Sequence, residues 1–209
     1  MRGLYLITND DNLPQLMQKL EAALATKKVA ILQYRRKKVD KVDQPFEVEK
    51  IKKLCEQYQT PFIINDDIKL AQQFGLGVHL GQDDGSILDA LQALPQGVII
   101  GRTCLNSVDL ARQAIKEGAT YVAFGAAYAT STKPEAGRLS PETLQQARQE
   151  FKVPLCVIGG LSVENAKVIL EQGADLCAVI SDILALNVQD IPARIAAWDG
   201  LFQETASVS

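Results

Sequence analysis

Seven stretches of this 209-residue chain place polar residues or glycine directly behind short apolar runs. They are Gln33-Tyr34-Arg35-Arg36-Lys37-Lys38, Asn65-Asp66-Asp67, His79-Leu80-Gly81-Gln82-Asp83-Asp84, Gly101-Arg102-Thr103, Thr130-Ser131-Thr132-Lys133, Gly159-Gly160 and Ile180-Ser181. Gln33, Arg35 and Lys37 alternate, so on an extended strand they share one side. Two cations and an amide on one side suit a polyanion. Arg36 and Lys38, on the other side, read as solvated charge. Asp66 and Asp84 offer the one or two carboxylates around which phosphate oxygens and water complete a magnesium site. Their neighbours Asp67 and Asp83 compete for that role, and any of the four could instead cap a helix. Carboxylates flanked by Arg35, Lys37 and Lys133 suggest a metal-bound diphosphate rather than a metal alone.

A second anion site is suggested by Gly159-Gly160 and Ile180-Ser181. A glycine pair lets backbone N–H groups approach a phosphate closely. Thr130 and Thr132 could serve either anion. His79 is the only histidine. It reads as structural or as part of a substrate pocket rather than as a general base. No Ser-His-Asp set or Walker loop is present. The four cysteines are widely spaced, which argues for buried reduced thiols, and one histidine makes zinc improbable.

What must position these residues is an alternation of short β-rich runs with amphipathic stretches. The runs span 3–8, 30–35, 61–66, 77–81, 98–103, 121–126, 154–159 and 176–181. Helical spacing shows in 42–58, through Phe46, Ile51, Leu54 and Tyr58, and in 110–117, 141–150 and 162–172. Ser140 and Ser162 are expected to cap helices, and Gly75, Gly118 and Gly173 to close them. Such alternation implies a parallel sheet with crossover helices. Eight βα units in 209 residues fit a single-domain (β/α)8 TIM barrel, an α/β fold. A doubly wound sheet would show a glycine-rich loop after its first strand, but Thr8-Asn9-Asp10-Asp11-Asn12 follows here. In a barrel, all seven stretches arrive at the C-terminal mouth, where active sites lie.

The composition agrees. Apolar residues make up 47% and charged residues 22%, as in a domain with a substantial core. With 22 Lys and Arg against 25 Asp and Glu, the net charge of −3 gives no bulk reason for nucleic-acid or membrane binding. No run is long enough to span a bilayer, and no signal peptide fits the start, so a cytoplasmic location is expected. One domain over 1–209 is expected, with 203–209 a frayed tail. The oligomeric state is left open, a homodimer included.

Leu4-Tyr5-Leu6-Ile7-Thr8, Gln33-Tyr34-Arg35-Arg36-Lys37, Ile64-Asn65-Asp66-Asp67, Gly77 through Asp84, Phe124-Gly125 through Lys133, and Val157-Ile158-Gly159-Gly160 occur together and in order. With these segments the chain resembles the thiamine phosphate synthase (thiamine-phosphate pyrophosphorylase) family over essentially its whole length. The resemblance implies a (β/α)8 transferase. It would join hydroxymethylpyrimidine diphosphate to a thiazole phosphate, carboxylated or not, giving thiamine phosphate and diphosphate with Mg2+ as cofactor. Gln33, Arg35, Lys37, Asn65 and Lys133 would hold the pyrimidine diphosphate, with Thr103 touching the diphosphate and His79 lining the pocket. Arg35, Lys37, Thr103 and Lys133 would be catalytic. Asp66 and Asp84 would hold the metal. Thr130, Thr132, Gly159, Gly160, Ile180 and Ser181 would hold the thiazole phosphate. The implied mechanism is dissociative and needs charge stabilisation of a leaving group more than a strong base.

The chain departs from the family pattern at Thr103, where serine is common, at Leu105, where histidine is common, and at Ala126 and Ala129, where prolines are usual. A thiazole tautomerase-like barrel would not need Gln33, Arg35, Lys37 and the two aspartates. A non-catalytic barrel that binds thiamine precursors would differ in turnover alone. A phosphate-binding sugar isomerase would need a positioned carboxylate or cysteine base and no magnesium pair.

Overall fold

In the computed structural model, which describes residues 1–128 and 138–206, eight parallel strands close into a barrel in chain order. They are β1 (Gly3–Ile7), β2 (Val29–Tyr34), β3 (Phe62–Asn65), β4 (Gly77–Leu80), β5 (Ile100–Thr103), β6 (Tyr121–Phe124), β7 (Leu155–Ile158) and β8 (Leu176–Val179). β1 pairs with both β2 and β8, which leaves no edge. Each expected strand is present, trimmed at one or both ends. Of the polar residues that end the expected runs, Thr8, Arg35, Asp66 and Ser181 lie beyond their strands, whereas Thr103 stays in the ladder opposite Ala123.

Around the barrel lie α1 (Leu13–Leu24), α2 (Gln44–Tyr58), α3 (Ile68–Phe74), α4 (Ile87–Ala93), α5 (Val108–Glu117), α6 (Pro141–Glu150), α7 (Lys167–Glu171), α8 (Ser181–Leu184) and α9 (Ile191–Ala206). Their starts have local causes. Asn12 accepts from the Gln15 amide, Asp67 from Leu70, Ser107 from Leu110 and Ser140 from Thr143. Ser86 and Asp89 form a reciprocal capping box on α4. Gly75 and Gly118 close α3 and α5 in the left-handed conformation.

Three helical expectations need correction. Ser162 does not cap a helix: its amide donates to Asn165 Oδ1 at 2.9 Å, and the chain turns once more before α7 begins at Lys167. Gly173 stands one residue beyond the cap at Gln172. Phe46 is 59% exposed; α2 buries Gln44, Glu47, Val48, Ile51, Leu54 and Cys55 instead. α9 continues past residue 203 to Ala206, where Thr205 is buried and accepts from Arg2 Nη2 at 2.9 Å.

The core has two layers, as strand alternation requires. Leu4 and Leu6 face outward to the helices, whereas Tyr5 and Ile7 face the barrel axis. The interior set is completed by residues such as Ile31, Ile63, Tyr121, Cys156 and Leu176. All four cysteines are buried and free. Gly101 is fixed by this interior: it opposes Tyr121 in the ladder, and a Cβ there would stand 2.1 Å from the tyrosine Cζ. Gly101→Ala is therefore expected to cost about 1–3 kcal/mol of stability. A lower urea midpoint at unchanged slope is the check.

Candidate active site

The first cluster at the mouth is built on Asp66. This residue follows β3 with φ +64°, a left-handed conformation that costs a non-glycine residue energy and recurs at functional sites. Its amide donates to the His79 carbonyl at 2.8 Å. Its carboxylate accepts from Asn65 Nδ2 at 2.7 Å and from the Gly81 amide at 3.3 Å, and pairs with Lys37 Nζ at 3.2 Å. Asp84 lies beside it. A Cβ on Gly81 would fall 2.2 Å from Asp84 Oδ2 and 3.7 Å from Asp66 Oδ1, so glycine is what lets the two carboxylates converge. Partial burial, then the Asp66 charge, raises the Asp84 carboxyl above its ordinary value, and Lys37 opposes that shift.

Asp67 is occupied elsewhere: it caps α3 and binds Lys41 Nζ at 2.6 Å. Asp83 and Asp84 are both exposed. The two carboxylates that meet are those of Asp66 and Asp84. No cluster of three potential protein ligands occurs among the described residues. A divalent cation here would take two carboxylates and fill its remaining positions from water and a substrate. Two adjacent carboxylates, one of them resisting ionisation, fit such a cation.

A polar cavity of about 670 Å³ opens beside this pair. Arg35, Lys37 and Lys69 contribute cationic side chains to it. Arg35 is half-buried. Its backbone exchanges hydrogen bonds with Thr8 Oγ1, while its guanidinium has no partner among the described residues. The adjacent Arg36 is a correction. It is not solvated but 5% exposed, forked onto Glu47 through Nε at 3.0 Å and Nη2 at 2.9 Å. Tyr34 Oη donates to the same carboxylate at 2.8 Å. Lys38 is the exposed member, paired with Asp10.

The second cluster fills the barrel interior. Gln33 Nε2 donates to Tyr5 Oη at 2.5 Å, and Tyr5 Oη meets Tyr121 Oη at 2.8 Å. Tyr121 Oη meets His79 Nδ1 at 2.6 Å, and His79 Nε2 meets Thr103 Oγ1 at 2.8 Å. The His79 ring stacks on Tyr121 with centroids 5.6 Å apart. Burial pushes the His79 pKa down to about 4. A histidine signal titrating near that value rather than about 6.5 is expected in a proton NMR pH series. The folded state's contribution from a neutral His79 is complete above about pH 6.5. It declines as pH falls through about 4. Sequence reading singled out Gln33, His79 and Thr103 but missed both tyrosines. Their signal was alternation: each sits at an inward position of its strand.

The third group is at β7 and β8. Gly159 and Gly160 have φ of +106° and +66°. A Cβ on Gly159 would stand 2.5 Å from Ala126 Cβ, and Tyr128 N donates to the Gly159 carbonyl at 3.0 Å. Gly159 is thus required by the chain packed over it. Gly160 is exposed, and its carbonyl accepts from Asn165 Nδ2 at 2.9 Å. Ser181 opens α8 directly after Ile180, so its amide points out of the helix start. Leu105 is 49% exposed, with φ +54°. Thr130, Thr132, Lys133 and Ala129 lie outside the described residues.

Comparison with known proteins defines this barrel as an enzyme of the transferase class. The thiamine monophosphate synthase model matches residues 4–183, and the chain belongs to that family. Thiamine phosphate pyrophosphorylase from Pyrococcus furiosus is 26% identical, with a TM-score of 0.84 over 97% of this chain and 96% of that one. The enzyme of that name from Bacteroides thetaiotaomicron is 18% identical, with a TM-score of 0.69 over 99% and 98%, and shares the fold. So does (S)-3-O-geranylgeranylglyceryl phosphate synthase from Thermoplasma acidophilum, at 14% identity and a TM-score of 0.71 over 97% and 93%. No helix among the described residues is long and apolar enough to cross a membrane.

Proposed function

We propose that the protein joins hydroxymethylpyrimidine diphosphate to a thiazole phosphate, with magnesium, releasing thiamine phosphate and diphosphate, and also carbon dioxide where the thiazole is the carboxylated form. The observation that carries this reading is the convergence of Asp66 and Asp84 beside Lys37 and beside Arg35, whose guanidinium has no partner among the described residues, in a barrel of this family. The bond from the pyrimidine methylene to oxygen breaks, and its electron pair leaves with diphosphate. The thiazole nitrogen then supplies the pair for the new C–N bond. No proton need be removed, which suits a mouth whose one histidine is buried and neutral.

Asp66 and Asp84 would hold magnesium, which when bound spreads the charge developing on diphosphate. Arg35 and Lys37 do the same from the cavity wall, and the family resemblance adds Lys133. Gln33, Asn65, His79 and Thr103 line the pyrimidine side. Gly159, Gly160, Ile180 and Ser181, with Thr130 and Thr132, would bind the thiazole phosphate, for which the loops after strands 7 and 8 are the usual place in such barrels.

The test mixes purified protein with both substrates and magnesium, and an EDTA control. Magnesium-dependent appearance of thiamine phosphate and diphosphate supports the reading. Absence of both from folded protein overturns it and directs attention to thiazole tautomer exchange.

A further inference from the structure

The interior chain of hydrogen bonds has a direction. Tyr5 Oη is buried and accepts from Gln33 Nε2, so its own proton has one place to go among the described residues, Tyr121 Oη. Tyr121 Oη then accepts from Tyr5 and donates to His79 Nδ1. With Nδ1 accepting, the imidazole proton sits on Nε2 and is donated to Thr103 Oγ1. No buried side-chain polar atom is left without a partner among the described residues, so each link satisfies the next. Thr103 is only partly buried, and its hydroxyl oxygen has no second partner there. Its proton is therefore free to point into the mouth.

We propose that Tyr5 and Tyr121 are positioning residues: their hydroxyls hold His79 as the Nε2–H tautomer, and this leaves the Thr103 hydroxyl as a donor toward the departing diphosphate. The tautomer follows from the buried chain alone, while the diphosphate as recipient rests on the proposed function. A chain of opposite polarity would turn the Thr103 proton inward onto His79 and present only lone pairs to an anion. The polarity thus decides whether this position attracts or repels the leaving group. Alternating donor and acceptor roles along linked hydroxyls also reinforce one another, so the far tyrosine contributes.

The chain has a single histidine, so its ring signals need no assignment. In ¹⁵N-histidine-labelled protein without substrates, Nε2 is expected to show the protonated, pyrrole-type shift and Nδ1 the pyridine-type shift. The reverse pattern overturns the proposal. In Tyr121→Phe the ring and its packing remain and only the donor to Nδ1 is lost. The two tautomers should then mix, and kcat for thiamine phosphate formation should fall roughly fivefold, with KM changed less than about twofold. Tyr5→Phe should act in the same direction, and it keeps the test available should Tyr121→Phe not fold.

The effect should pass through Thr103. In a Thr103→Ala background, Tyr121→Phe should change kcat little further, whereas a fully additive loss overturns the positioning role. If the unaltered protein makes no thiamine phosphate, the proposed function fails. The tautomer reading is still decided by the NMR pattern.

Discussion

Arg36→Met is expected to remove about 3–5 kcal/mol of folding stability, the largest loss for any one change considered. The guanidinium is buried and forked onto Glu47, which is equally secluded. It also donates to the carbonyls of Asn9 and Asp11, tying the loop after β1 to the loop after β2. Methionine is close in volume but leaves a buried carboxylate whose remaining partner among the described residues is the Tyr34 hydroxyl. Replacing Glu47 by leucine in the same chain should recover part of the loss by removing the stranded charge. The recovery should be incomplete, because Tyr34 Oη then lacks its acceptor. Urea unfolding of the two variants measures both quantities. An Arg36→Met protein as stable as the original would show that this pair carries little net weight.

Asp66→Asn is expected to raise the magnesium needed for half-maximal activity by about tenfold or more, since even outer partners of metal ligands cost that much when changed. Asparagine is the conservative probe because it tolerates a left-handed backbone nearly as well as any non-glycine residue. It also keeps an oxygen for the Gly81 amide. Unaltered magnesium dependence would place the ligand elsewhere. Asp84→Asn should behave differently in the absence of metal. A carboxyl raised in the folded state contributes stability below its unfolded pKa, and that contribution is lost as pH rises through the folded value. Removing this charge should therefore leave the metal-free protein at least as stable at neutral pH, while magnesium no longer raises its melting temperature. In the unaltered protein, the magnesium-induced rise in melting temperature should shrink as pH falls into the raised range of Asp84.

The barrel was legible because each strand carries its own evidence: β-rich runs recur, and glycines such as Gly75 and Gly118 punctuate the helices between them. The carboxylate pair was legible as a pair of candidates. Spacing leaves Asp66 and Asp67 as equal candidates, and only the family resemblance favours Asp66; the structure shows Asp67 spent on the α3 cap and on Lys41. Arg36 misled because its neutralising partner comes from the next helix, and a run of four cations looks the same whether or not a glutamate waits beneath it. Phe46 misled for the converse reason: helical spacing marks a face but not which face the barrel covers. Nothing in the sequence singled out Tyr5 or Tyr121. Their hydroxyls acquire a role only when closure of the barrel brings them, from strands far apart in sequence, to 2.8 Å of each other.

The segment after β6 leaves and rejoins the barrel at a shared neck. Ala127 N donates to the Ile158 carbonyl and Tyr128 N to that of Gly159, while Leu139 N returns to the Ala126 carbonyl at 2.8 Å. Because the neck is fastened on both sides, lengthening the chain between its two ends adds a closure cost that grows only logarithmically. Insertions or deletions between residues 128 and 138 are therefore expected to cost the closure of the barrel little, since each doubling of a flexible loop adds only about 0.6 kcal/mol.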